Sequence, residues 1–189
     1  MKLAAIAGSL RKGSLNRRLL ELALRQFEKD GAEIDRVELR ELAIPFYDGD
    51  LEASTGLPEG AQELGRRIAA ADGLAIASPE YNMSVPAVLK NAIDWLSRAK
   101  PVPLRGKTAL LLSASPSLVG GNRALWALRI PLEVLGVHVY PDMFSLATAH
   151  QAFADDGELR DEALARFLRR CVDGFTRLTN ALANTEKRP

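Results

Sequence analysis

Small polar and basic residues cluster in the segment GSLRKGSLN at residues 8–16, directly after a short apolar run. Ser9 and Ser14 supply hydroxyl donors, Asn16 supplies an amide, and Arg11 adds a positive charge. A helix is predicted to begin where the segment ends, and the free N–H groups and positive dipole end of a helix N-terminus favour an anion. The segment therefore predicts a site for a phosphate monoester. The alternative is that Ser14 or Asn16 only caps the helix while Arg11 remains solvated.

Two better-known phosphate loops are absent from the sequence. It contains no GxxxxGK[ST], the loop that holds a nucleoside triphosphate, and no GxGxxG, the loop that holds a dinucleotide. Gly8 and Gly13 are interpreted as positions that permit tight backbone turns. The predicted anion site is therefore of a different kind.

A second segment that can bind a ligand is SPEYNMSVPAVLKNAIDWLSR at residues 78–98. Pro79 fixes its own backbone, and Glu80, Tyr81 and Asn82 follow it before a predicted helix. A flat heteroaromatic ring can stack near Tyr81 while amide and main-chain groups contact its polar edge. A capped turn with a half-buried tyrosine is the alternative interpretation.

Five short apolar runs predict β-strands, and helical periodicity fills the segments between most of them. The predicted strands are residues 3–7, 33–39, 73–78, 107–113 and 136–140, and the predicted helices are residues 16–29, 58–71, 85–98, 121–135 and 159–183. Nearly continuous apolar strands that alternate with helices indicate a parallel sheet covered on both faces. We expect a three-layer α/β sandwich of five parallel strands in the order 2-1-3-4-5, with both segments described above at carboxyl ends of strands.

The totals indicate one domain over residues 1–189, with a flexible tail at residues 184–189. The 25 basic and 24 acidic side chains nearly cancel, which argues against nucleic acid or an anionic membrane as a partner. The first apolar run is too short for a signal peptide and no run approaches a membrane span, so a cytoplasmic location is expected. Cys171 is expected to be buried and inert, and His138 and His150 lack the spacing of a metal site.

Taken together, three segments resemble the NADPH-dependent FMN reductase family, which includes bacterial quinone, chromate and azo-dye reductases: GSLRKGSLNRRLL, PEYNMSVPAVLKNAIDWLSR and SASPSLVGGNRALWALR. The resemblance implies a flavodoxin-like fold that binds FMN without a covalent link. The family's phosphate loop matches Ser9, Arg11, Ser14, Leu15 and Asn16; the segment beside its isoalloxazine ring matches Pro79, Glu80, Tyr81 and Asn82; and its third loop matches Ser115, Gly120 and Gly121. Met83 and Pro116 depart from the family pattern, which leaves the choice of electron acceptor open.

The resemblance also implies the reaction. Hydride passes from NADPH or NADH to N5 of FMN and then to a quinone, flavin, azo compound or similar small acceptor in a ping-pong cycle, so neither a catalytic side chain nor a metal is expected. A homodimer or homotetramer is implied as well, because helices after the third and fourth strands form subunit contacts in this family. Two alternatives are a flavodoxin-type electron carrier, although flavodoxins are strongly acidic, and a flavin-free interaction domain with the same fold.

Overall fold

A computed structural model describes residues 1–186 as one parallel sheet covered by helices on both faces. The strands are β1 (Lys2–Ala7), β2 (Glu33–Val37), β3 (Gly73–Ala77), β4 (Thr108–Ala114), β5 (His138–Val139) and β6 (Phe144–Leu146). The helices are α1 (Leu15–Lys29), α2 (Gly49–Thr55), α3 (Glu59–Ala69), α4 (Ala87–Leu96), α5 (Asn122–Val134), α6 (Ala149–Ala152) and α7 (Glu162–Glu186). The strand order is β2-β1-β3-β4-β5, and every pairing is parallel, which confirms the predicted flavodoxin-like topology.

The three layers follow from the alternation of side chains along each strand. In β1, Leu3, Ala5 and Ala7 pack with α1 and α7 on one face of the sheet. Ala4 and Ile6 pack on the other face, in the apolar cluster to which α3, α4 and α5 contribute. Because β1, β3 and β4 are buried on both faces, nearly all of their residues are apolar.

The outer position of the sheet differs from the prediction. One strand was expected at residues 136–140, but β5 pairs with the start of β4 and β6 pairs with its end. Between these pairings, residues 140–143 lie opposite only residues 110–111 of β4. Pro141, which has no N–H to donate to a sheet, lies in this interruption. The predicted order of five strand positions is confirmed, and the fifth position is divided between two short strands.

The two shortest helices and the C-terminal end also differ from the sequence-based expectations. α2 and α6 lie in segments where no helix was predicted. α7 continues to Glu186, three residues into the predicted tail, and the remainder of that tail at residues 187–189 lies outside the described residues. Cys171 of α7 is fully buried, and burial raises the pKa of its thiol to about 12. The thiol therefore stays protonated and unreactive, in agreement with the prediction.

The central strands bring three loops to one edge of the sheet. β1 lies beside β3, and β3 lies beside β4, with all three running in the same direction. The loops that follow them start at residues 8, 78 and 115, so they emerge next to one another. This edge is where open parallel sheets bind ligands.

Candidate cofactor site

The loop after β1 presents unpaired donors at the start of α1. The Ser14 hydroxyl oxygen accepts a hydrogen bond from the Arg17 backbone N–H at 3.2 Å, so Ser14 is the N-cap of the helix. This bond uses a lone pair of the oxygen and leaves the hydroxyl hydrogen available. The backbone N–H groups of Leu15 and Asn16 have no partner within residues 1–186. The capping role and the anion role are therefore compatible at Ser14.

Asn16 has a structural task that the sequence did not reveal. Its side-chain N–H donates to the Ala114 carbonyl at 2.8 Å, and its side-chain oxygen accepts from the Ala114 N–H at 2.9 Å. Both bonds are buried, and they tie the first turn of α1 to the last residue of β4. These bonds use the side-chain oxygen and one N–H of the amide, so the second side-chain N–H and the backbone N–H of Asn16 have no partner within residues 1–186. The use of Asn16 on an anion stays a prediction.

The basic side chains around this loop divide into free and engaged groups. Arg11 is exposed, and its guanidinium has no hydrogen bond or ion pair within the described chain. Arg17 instead donates to Glu38, with 2.7 Å between Nη2 and Oε2. This hydrogen bond lowers the pKa of the Glu38 carboxyl and keeps it ionised. Arg11 is therefore a cation of the loop that is free to contact a ligand.

The two glycines of the loop act differently from the prediction, since neither has a positive φ. A Cβ on Gly8 would lie 3.3 Å from Leu89 and 3.4 Å from both Pro79 and Pro86. Gly8 therefore allows the first loop to pack closely against the second. A Cβ on Gly13 would meet nothing within 4 Å, and we find no structural requirement for glycine there.

The loop after β3 contains a tight turn. The N–H of Tyr81 donates to the carbonyl of Ser84 at 3.1 Å, and the N–H of Ser84 donates back at 3.0 Å. Asn82 and Met83 form the tip, with φ of 51° and 64°. Asparagine tolerates this left-handed region, but methionine does not favour it. The turn therefore stores backbone strain at Met83, beside the half-exposed ring of Tyr81.

Glu80 in the same loop caps a distant helix. Its carboxylate accepts from the backbone N–H of Arg123 at 3.0 Å and from that of Ala124 at 3.4 Å. The Arg123 guanidinium also pairs with it, at 2.7 Å from Nη2 to Oε1. The residue at the N-cap of α5, Gly121, has no side chain that could cap the helix. Glu80 supplies the missing cap and fixes the second loop to the start of α5.

The loop after β4 requires both of its glycines. Gly120 has φ 67°, and a Cβ there would lie 2.9 Å from the Ala147 backbone nitrogen. Gly121 has φ 85°, and a Cβ there would lie 2.0 Å from the buried hydroxyl oxygen of Ser113. Backbone conformation and space both exclude other residues at these positions. The loop is held further by the Ser115 N–H, which donates to the Leu146 carbonyl at 3.1 Å.

A cleft of about 300 Å³ lies where the three loops meet. Nine of the twelve predicted site residues line it: Ser9, Arg11, Ser14, Leu15, Asn16, Pro79, Glu80, Tyr81 and Ser115. Three do not: Asn82 lies at the tip of the exposed turn, and Gly120 and Gly121 pack against the Ala147 backbone and the Ser113 side chain.

His150 of α6 lines the cleft, a position that was not predicted from the sequence. It reaches this place because β6 continues the sheet edge and leads into α6. Arg18 of α1 keeps the following segment close, since it donates to the Ala154 carbonyl at 3.0 Å and lies 4.3 Å from the centre of the Phe153 ring. β6 has only three residues, too few for periodicity to reveal it, so the sequence carried no signal that pointed to His150.

Neither a metal cluster nor a membrane span is found in residues 1–186. No group of three or more histidine, cysteine, aspartate or glutamate side chains is arranged there to hold a metal ion. No helix within that range has the length and apolar character needed to cross a membrane.

Comparison with known proteins identifies the family. The model of the NADPH-dependent FMN reductase family matches residues 1–151. The chain belongs to this family. A quinone reductase of Escherichia coli is 36% identical over 165 residues, covering 86% of each chain. An NAD(P)H-dependent FMN reductase of Pseudomonas aeruginosa is 39% identical over 164 residues, again covering 86% of each. The flavoenzyme NAD(P)H:(acceptor) oxidoreductase FerB from Paracoccus denitrificans superposes with a TM-score of 0.82 at 32% identity, covering 95% of this chain and 97% of FerB.

Family membership confirms the resemblance drawn from the three segments. All three segments lie within the matched region, which spans the strands, α1 to α5 and the start of α6. The cleft formed by the three loops is therefore the candidate site of an FMN reductase.

The strain in the second loop gives a testable prediction. Met83 is 63% exposed, so its replacement loses little packing. We expect Met83→Gly to raise the free energy of unfolding by about 0.5–1 kcal/mol, because glycine adopts a positive φ without steric cost. Urea denaturation of both proteins measures the difference. Met83→Ala is the matched control, since it shortens the side chain but keeps the Cβ that causes the strain. Equal stability of the two variants would contradict the assignment.

Proposed function

We propose that this protein is an NAD(P)H oxidoreductase that holds FMN in the cleft between its three loops. The observation that carries the proposal is the convergence of a helix N-terminus, a free arginine and an aromatic turn on one cleft. These groups suit the two ends of FMN, which has a dianionic phosphate and a flat ring. The named activities of its relatives, a quinone reductase and an FMN reductase, support the same conclusion.

The phosphate end has a donor set that fits a phosphate monoester. The donors are the backbone N–H groups of Leu15 and Asn16, the hydroxyl of Ser14 and the guanidinium of Arg11, and all four residues line the cleft. Several converging donors with one full positive charge are what a phosphate needs, and the dipole of α1 adds to them. Asn16 contributes in a second way, since its bonds to Ala114 hold this end of the cleft against the third loop.

The ring end is bordered by Pro79, Tyr81, Ser115 and Pro116. When it is bound, FMN supplies the redox chemistry, taking a hydride equivalent from a nicotinamide and passing it to an acceptor. The protein's task is to bind and orient, and no side chain is required as an acid or base. Glu80 holds the ring-side loop by capping α5, which keeps the wall of the cleft in place.

The net charge of the chain and the activities of its relatives favour an enzyme over an electron carrier. Flavodoxins are strongly acidic, whereas this chain has a formal net charge of +1. The two named relatives are reductases, and the chain matches each of them over 86% of its length. The near balance of charge and the buried cysteine are in keeping with a soluble protein of the reducing cytoplasm that acts on small-molecule acceptors.

The proposal is tested by FMN binding and turnover. The purified protein is mixed with FMN and desalted, and the flavin absorption that it retains is recorded. Oxidation of NADH and of NADPH is then followed with naphthoquinone as the acceptor. We expect retained flavin and oxidation of the nicotinamide that depends on the quinone. Absence of flavin binding would overturn the proposal, and binding without turnover would favour the electron carrier.

Arg11 gives the sharpest test of the phosphate end. We expect Arg11→Ala to weaken FMN binding by about 1.5–3 kcal/mol, because a charge-assisted hydrogen bond to the phosphate is lost. The dissociation constant is measured by quenching of FMN fluorescence. Lys12→Ala is the matched control, since Lys12 is the adjacent cation and does not line the cleft. An unchanged affinity in Arg11→Ala would refute the assigned role of Arg11.

The protein is proposed to be a homo-oligomer with α5 in the interface. Trp126, Ile130 and Val134 lie at four-residue intervals on α5 and are 58%, 67% and 78% exposed. The loop before α5 adds Leu118, which is 85% exposed. An apolar stripe of this length on one helix suits a second copy of the same face, as in a symmetric dimer. Trp95, on the other helix expected at subunit contacts, is fully buried instead.

The oligomer proposal predicts the effect of charge on α5. We expect the double variant Trp126→Glu, Ile130→Glu to reduce the molar mass in solution to that of one chain, because burying two carboxylates in an interface is unfavourable. Light scattering after gel filtration measures the mass. Asn180→Glu, an exposed position on α7, should leave the mass unchanged. A wild-type protein that is already monomeric would overturn the proposal.

A further inference from the structure

A second and larger depression adjoins the cofactor cleft. It is a groove of about 810 Å³ between the first loop, the loop after β2 and the start of α4, and we call it the side groove. The side groove shares Arg11 and Tyr81 with the cleft. A molecule in the side groove can therefore contact the same arginine and tyrosine as a molecule in the cleft. Its walls are mainly apolar, with Leu10, Leu39, Ile44, Phe46, Pro86 and Val88 among the lining residues.

The loop after β2 holds Phe46 in an exposed position. The Pro45 carbonyl accepts from the Asn91 side chain and from the Trp95 indole N–H, each at 2.8 Å. The Tyr47 N–H donates to the Asn91 side-chain oxygen, also at 2.8 Å. These three bonds fix the residues on both sides of Phe46, yet its side chain is 78% exposed. An apolar ring that the backbone holds open to solvent in a groove is suited to contact a ligand.

The charged lining of the side groove is entirely positive. Arg11, Lys12 and Arg40 line it, and none of its described lining residues is acidic. Arg40 donates to the Leu10 carbonyl at 2.9 Å, which places its guanidinium over the first loop. Lys12 has no hydrogen bond or ion pair within residues 1–186. Because Arg11 is assigned to the FMN phosphate, Lys12 and Arg40 remain to attract an anion.

The uncharged polar side chains of the groove are few. Asn91 uses one amide N–H on the Pro45 carbonyl and its side-chain oxygen on the Tyr47 N–H. Among the lining residues this leaves two neutral polar side-chain groups that can bind a ligand, the Tyr81 hydroxyl and the second N–H of the Asn91 amide. A dinucleotide with two riboses needs more hydrogen-bonding partners than this, whereas a flat aromatic ring with one anionic substituent needs apolar walls and a cation.

We propose that the side groove binds the electron acceptor and that it selects aromatic acceptors with a carboxylate or sulfonate substituent. The ring lies against the apolar walls near Phe46, and the anion meets Arg40 and Lys12. This inference rests on the proposed function, because it assigns the second substrate of the same site. Its selectivity comes from charge complementarity, so it weakens as ionic strength rises.

Binding is tested with a matched pair of redox-inert probes, naphthoate and its neutral amide naphthamide. Each is titrated by calorimetry into the FMN-loaded protein and into the flavin-free protein. We expect naphthoate to bind about five- to tenfold more tightly, the difference that one partly solvated charge contact provides. The preference should shrink at high salt. Equal affinities of the two probes, or a preference unaffected by salt, would overturn the proposal.

Variants of Arg40 separate its charge from its bond to the loop. Arg40→Gln should abolish the preference for naphthoate, and Arg40→Lys should retain most of it because the charge remains. Arg66→Gln on α3 removes the same charge from a surface outside the groove and should leave the preference intact. If Arg40→Gln weakened both probes equally, Arg40 would only support the loop and the proposal would fail.

Kinetics then identify the natural occupant of the groove. In Arg40→Gln the KM for naphthoquinone sulfonate should rise about five- to tenfold relative to the KM for naphthoquinone. A larger rise in the KM for NADPH would assign the groove to the nicotinamide substrate and overturn the proposal. If naphthoate bound more weakly as self-association of the protein increased, the groove would be assigned to a second copy of the chain. That result would also overturn the proposal. Naphthoate preference in a protein that fails to oxidise NAD(P)H would leave the groove assignment intact and refute the proposed function instead.

Discussion

The two hydrogen bonds between the Asn16 side chain and the Ala114 backbone determine how the cleft is assembled. They join the first turn of α1, the helix that follows β1, to the end of β4. β1 and β4 are not neighbours, because β3 lies between them in the sheet. The free N–H groups at the helix start and the third loop therefore occupy fixed positions relative to each other before any ligand arrives. A cofactor that touches both does not have to order them, which reduces the entropic cost of binding.

The central strands of the fold could be predicted from the sequence because they share one pattern, a short run of apolar residues. Nearly all residues of β1, β3 and β4 are apolar, since helices cover both faces of the sheet at these positions, and this pattern is easily recognised. The periphery could not be predicted as well. β5 and β6 have two and three residues, too few for periodicity to indicate a strand. The four-residue α6 is likewise shorter than a sequence pattern can reveal.

The candidate site was predictable in its location but less so in its division of roles. Loop positions follow from strand order, so nine of the twelve predicted residues meet in the cleft. Roles depend on partners that are far apart in sequence. Asn16 bonds to a residue 98 positions away, and Glu80 caps a helix that begins more than 40 positions later. The side groove was not predicted for the same reason. Arg40 and Phe46 form a groove only because the fold places them beside the first loop.

The divided outer position of the sheet has a consequence for solubility. An edge strand exposes unpaired N–H and C=O groups that can recruit strands of other molecules into aggregates. At one edge of this sheet, β5 and β6 are both short, and Pro141 interrupts the chain between them. At the opposite edge, β2 has the sequence EIDRV, with three charged residues in five. Neither edge offers a long, flat, apolar template, so the sheet resists growth into fibrils from either side.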